Sequence, residues 1–96
     1  MSPTNKKKLD KLRIKLDKLD NQLLLLIKVR SNLVNEVLKV KTYKKEIIDQ
    51  KRIRFILNKI KRKSIQSHID PKITNRIWKN MIWSFIDYEK RNFKKK

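Results

Sequence analysis

Glycine is absent from the 96 residues, and so is cysteine. Without glycine there is no P-loop, no glycine-rich dinucleotide turn and no glycine-built hairpin. Without cysteine there is no disulfide, no thiol nucleophile and no thiolate metal ligand. His68 is the single histidine, too few for a His-ligated metal site. Long apolar runs are missing too. The longest, Leu23–Ile27, is far short of a membrane span, and the charged N-terminal residues lack the apolar core of a secretion signal. The expectation is a soluble, cytoplasmic protein with no metal and no membrane partner.

Acidic residues are scarce as well: Asp and Glu number 9 against 28 for Lys and Arg, a formal charge of +19. A chain this basic attracts anions, whether nucleic acid, acidic membrane or small polyanionic metabolites, and composition does not choose among them. Lys, Ile and Asn are all abundant, as AT-rich codon usage would also produce. The length fits one small domain, read as residues 1–96.

What is present is helical periodicity. Leu9, Leu12, Leu16, Leu19, Leu23, Leu26, Arg30, Leu33, Val37 and Val40 follow one another at alternating steps of three and four. This predicts a first helix over about 4–41, with Thr4 as its cap. At ~1.5 Å per residue it is roughly 57 Å long, whereas a compact chain of this size has a radius of gyration of ~12–13 Å. A second helix is expected over 49–66, capped by Asp49 and turning Ile53, Ile56, Leu57 and Ile60 inward. A third is expected over 71–91, opened by Asp70-Pro71 and burying Ile73, Ile77, Met81, Phe85 and Tyr88. Trp78 and Trp83, five residues apart, cannot both share that face. Residues 42–48 read as a connection and 92–96 as a basic tail. The fold class is therefore all-α, with three helices per chain and one very long first helix. A symmetric homodimer would cover its exposed seam.

Arg30 is the one seam residue that is not aliphatic. Its Cα lies roughly 16 Å from that of Lys41 on a continuous helix, within reach of one small anion between two long side chains. Arg13 is roughly 25 Å from Arg30 along the axis. An antiparallel dimer crossing near residues 21–22 would bring Arg13 of one chain beside Arg30 of the other. The plainer alternative is a structural arginine, paired with Glu36 or Asp20 or fixing helix register.

Residues 12–41, "LRIKLDKLDNQLLLLIKVRSNLVNEVLKVK", resemble the first helix of the all-helical class of chorismate mutase. The matching pattern is Arg13, the pairs Leu16-Asp17 and Leu19-Asp20, a leucine-rich stretch closed by Arg30, and Lys41. Asp49 and Arg52 match the family's Asp-x-x-Arg spacing at the start of its second helix, and residues 68–89 resemble its third. The resemblance implies an intertwined antiparallel homodimer and an isomerase. The reaction turns chorismate into prephenate, on the shikimate route toward phenylalanine and tyrosine, with no cofactor. The family's roles imply that Arg30 and Arg13 of the other chain clamp the two substrate carboxylates. They imply that Lys41 donates to the ether oxygen and a carboxylate, that Asp49 meets the ring hydroxyl or orients Arg52, and that Arg52 supports the carboxylate side. Such catalysis is positioning plus electrostatics.

The chain departs from the family pattern in three places. Ile53 stands where the family has a glutamate on the substrate hydroxyl; it also fits the core face. Glu89 falls where a Gln or Glu touches the ether oxygen. A charged carboxylate there opposes the developing negative charge, so Glu89 is expected to carry a proton in the active state, with activity falling as pH rises. Its alternative is an exposed Glu paired with Lys90 or Arg91. Phe85 replaces a small polar residue that contacts a carboxylate; it either narrows the pocket or fills core. An isochorismate pyruvate lyase on the same fold and a basic helical nucleic-acid module are the other readings. The second gives no reason for the Arg13, Arg30, Lys41, Asp49 and Arg52 set, so nucleic acid is not the expected partner.

Overall fold

The computed structural model describes residues 1–94; Lys95 and Lys96, the end of the expected basic tail, lie outside the described residues. Three α-helices make up the fold: α1 (Pro3–Val40), α2 (Gln50–Gln66) and α3 (Pro71–Asn92). There is no strand among the described residues. The chain divides into two compact units, Met1–Leu33 and Val34–Lys96.

The first unit is helix. Ser2, not Thr4, caps α1: its hydroxyl accepts the Asn5 N–H at 3.1 Å and its carbonyl the Lys6 N–H at 2.9 Å. Pro3 takes the first helical position, where a missing N–H costs nothing. Leu12, Leu16, Leu19, Leu23 and Leu26 of the seam are each exposed by half or more within the chain. Leu24 and Leu25, off the seam, are exposed too.

The second unit holds the core. Leu38 from the last turn of α1, Ile47 from the connection, Ile53 of α2, and Ile82 and Ile86 of α3 are buried together. Ile48, Ile56, Leu57 and Phe93 pack against them. Each buried aliphatic contributes roughly 1.5–3 kcal/mol. The connection is more ordered than a simple loop. It contains a 3-10 turn, Lys44–Glu46, that turns Ile47 into the core. Glu46 folds back over it, accepting the N–H of Thr42 at 2.7 Å and of Tyr43 at 3.0 Å.

Helix α2 sits as its sequence dictates, with the Asp49 side chain accepting the Arg52 N–H. Helix α3 buries the expected stripe only in part. Met81, Phe85 and Tyr88 are half-buried, Ile73 and Ile77 are exposed, and the buried residues are Thr74, Ile82, Ile86 and Glu89. The helix carries two adjacent stripes one residue out of phase, and polar partners decide between them. Thr74 Oγ1 meets Ser64 Oγ at 2.7 Å in the interior, while Ser64 donates to the Ile60 carbonyl at 2.6 Å. Trp78 is half-buried and Trp83 exposed on the far side.

Helix α2 ends without glycine. The Ile69 N–H reaches the Ser64 carbonyl at 2.8 Å and the His68 N–H that of Ile65 at 3.2 Å, which forces His68 to φ 58°. A side chain there carries a steric cost that glycine lacks. His68→Gly is therefore expected to raise stability by ~1 kcal/mol, or roughly 4–8 °C in melting temperature. An unchanged or lowered melting temperature would show that the turn is not strained.

The two N–H donors from Tyr43 and Thr42, helped by Lys41 and Lys45, hold the Glu46 carboxyl below its usual range. A depressed folded-state value means that Glu46 stabilises the connection above the ordinary carboxylate range. That contribution is lost as pH falls through the folded value. The protection factors of the Thr42 and Tyr43 amides, taken against their intrinsic exchange rates at each pH, should fall on acidification through that window, and Glu46→Gln should remove that fall.

Candidate active site around Lys41 and Glu89

Lys41 follows the last residue of α1, where the chain leaves the helix. Its side chain stays by the bundle. Lys41 Nζ donates to Glu89 Oε1 at 3.1 Å and to Oε2 at 3.4 Å. Glu89 is only 5% exposed, on the inward face of α3 one turn beyond Ile86. This corrects the alternative of an exposed glutamate. Arg91 pairs instead with Asp87, at 2.9 Å and one helical turn away, in the open.

A carboxylate this buried needs a counter-charge. Lys41 supplies it from 48 residues away in sequence, through a side chain that keeps about a fifth of its surface open (19%). The Lys41 side chain thus keeps some contact with water while Glu89 keeps little.

The other expected site residues fall in different places. Arg13 is exposed and Arg30 half-buried on α1, both in the first unit. Asp49 is exposed, and its Oδ1 is engaged at 3.0 Å by the Arg52 N–H. The link between these two residues is thus helix capping through the backbone. The Arg52 side chain is exposed, its guanidinium 5.4 Å from the centre of the Phe55 ring. Phe85 is half-buried on α3, one turn before Glu89. Ile53, at the position of the family glutamate, belongs to the core. Lys41 and Glu89 are the pair brought into direct contact.

Sequence reasoning missed two things here. Tyr88 Oη donates to Asn35 Oδ1 at 2.9 Å, tying α3 to the end of α1 beside the ion pair's helix turn. Asn35 lies among hydrophilic helix positions and gives no periodic signal. Asn35, Leu38, Lys39, Tyr88 and Asn92 also line a shallow open recess. Among the described residues, no three His, Asp or Glu side chains gather where a metal could bind.

The family model for chorismate mutase type II matches residues 12–90. Curated proteins and solved structures yield no match. No helix among the described residues is long and apolar enough to cross a membrane.

Removing one member of the buried pair strands the other. Glu89→Ala is expected to cost ~2–3 kcal/mol, less than the upper range for buried pairs because Lys41 reaches water. Asp87→Ala, which breaks the exposed pair, should cost less than ~0.5 kcal/mol. Denaturant unfolding of both variants checks the contrast, and equal losses would mean that the Lys41–Glu89 pair has no special weight.

Proposed function

The chain belongs to the chorismate mutase type II family, and from that premise we propose that it converts chorismate to prephenate as a homodimer. Chorismate mutase is an isomerase, and its reaction rearranges one substrate. The observation that carries the reading is the family match over residues 12–90, which spans both compact units; Lys41 held against the Glu89 carboxylate supports it.

In this reading the substrate, a dicarboxylate, is held by cations. Arg30 and Arg13 of a second copy take the two carboxylates, because guanidinium offers parallel donors and stays charged. Lys41 donates to the ether oxygen as its bond to carbon breaks and negative charge grows there. Glu89 holds Lys41 in place until the substrate arrives. Asp49 meets the ring hydroxyl through its carboxylate, and Arg52 supports the carboxylate side. Phe85 closes the pocket against water. The compact reactive conformer supplies the rest of the acceleration.

The dimer follows from the seam. Leu12, Leu16, Leu19, Leu23, Leu26 and Leu33 present an apolar stripe, broken by Arg30, that the chain itself leaves exposed by half or more. Antiparallel pairing about residues 21–22 covers it and supplies Arg13. We place the protein in the cytoplasm, on the route to phenylalanine and tyrosine.

Purified protein mixed with chorismate should lose the substrate's ultraviolet absorbance and yield prephenate. Arg30→Ala should lower kcat/KM by at least ~10²-fold. No turnover by the folded wild type would defeat the proposal. Pyruvate released from isochorismate would redirect it to the lyase. In sedimentation, the species should have twice the 11.8 kDa chain mass. Leu23→Glu should shift it toward monomer and lower activity together, whereas a monomeric and active wild type would remove the shared site.

A further inference from the structure

We propose that the outward face of α2 binds single-stranded nucleic acid. Helix α2 runs QKRIRFILNKIKRKSIQ, with seven cationic side chains and no acidic one. The chain's few carboxylates lie in α1, the connection, the caps Asp49 and Asp70, and α3. Helix α2 is the one helix of the three with no carboxylate of its own.

The helix also has a fixed direction. Ile53, Ile56, Leu57 and Ile60 are turned toward the core and α3. The opposite face then carries Lys51, Phe55, Lys59 and Arg62, spaced four, four and three residues apart along roughly 16 Å of axis. Phe55 stands 54% exposed in this row. Lys59 Nζ lies 5.9 Å from its ring centre. An accessible ring flanked by unneutralised cations fits a base that stacks and phosphates that pair beside it.

An acidic membrane is the competing polyanion, and the packing of α2 disfavours it. An interfacial helix inserts its apolar face, and here that face is spent on the core. Outward, Phe55 and Ile65 are the only large apolar side chains on α2, too few for insertion.

The test uses full-length protein and a labelled oligouridylate, followed by fluorescence anisotropy across a salt series. Wild type should bind with a steep salt dependence. Lys51→Gln/Lys59→Gln/Arg62→Gln should weaken binding by at least ~10-fold and reduce the slope of log K against log salt by ~2. Chorismate turnover should be unchanged, which separates this face from the proposed active site. A Lys6→Gln/Lys7→Gln/Lys8→Gln control removes the same charge from α1 and should have a much smaller effect. Phe55→Ala should weaken oligouridylate binding by ~10-fold and leave binding to a duplex unchanged. If the triple variant lost its helical circular dichroism, Arg62→Gln alone would be read by its salt slope. Equal losses in the α2 and α1 triples, no oligonucleotide binding, or tighter binding to phosphatidylserine vesicles would each overturn the proposal.

Discussion

A lysine ammonium held 3.1 Å from a glutamate carboxylate, with most of both side chains out of water, fastens the end of α1 to α3. Desolvating two charges is expensive, and their attraction offsets the cost only when geometry is tightly kept. Everything nearby contributes to that geometry. Leu38 anchors the last turn of α1, Ile47 brings the connection inward, and Ile82 and Ile86 set the face of α3 from which Glu89 projects. Tyr88 and Asn35 add a second tie between the same two segments. The pair is a weak source of stability and a strong source of position, the property an electrostatic catalyst needs.

The core beneath it is small. Five aliphatic residues are buried, and among the described residues no large side chain is wholly out of water. Against this stands a leucine seam on α1 that the chain itself leaves open. Burial of apolar surface is the main favourable term in folding, so covering the seam would add stabilisation that the chain alone does not collect. In the proposed dimer, association and site formation are one event, because the pairing that buries the leucines also delivers Arg13. Catalytic competence would then depend on protein concentration in the same way as stability.

The helices were legible from the sequence because they rest on local signals. Asp49 and Asp70 act as caps, Pro71 opens α3, and α2 turns the predicted stripe inward, with Ile53 buried and Ile56, Leu57 and Ile60 half-buried. The phase of α3 was not legible. Its aliphatics fit two neighbouring stripes, and the buried one contains Thr74 and Glu89, which look like surface residues until Ser64 and Lys41 are seen beside them. Ser2 was passed over as a cap in favour of Thr4, though the proline after it marks the helix start. Helical spacing from Arg30 marks Lys41 as a site residue; Glu89 is marked by resemblance alone. No periodicity in the chain links positions 48 residues apart. The assignments of Arg13, Arg30, Asp49, Arg52 and Phe85 still rest on the resemblance.

Ile53 bears most directly on the proposed chemistry. It occupies the position of the family glutamate, and it lies in a cluster with Leu38, Ile47, Ile82 and Ile86. A carboxylate placed among those neighbours would find no donor from them and would lose its hydration. The aliphatic residue is thus consistent with its surroundings, and in the proposed site recognition of the ring hydroxyl would fall to Asp49, whose Oδ1 is already engaged in capping α2. A site with one hydroxyl acceptor in place of two holds its substrate mainly through carboxylates. Selectivity by hydroxyl contacts arises because unpaired buried polar groups penalise the wrong ligand. With Ile at 53 that penalty is absent on one side. In the proposed site, chorismate and isochorismate, which differ in where the hydroxyl sits, would then be separated less by binding than by what the cations around the breaking bond stabilise.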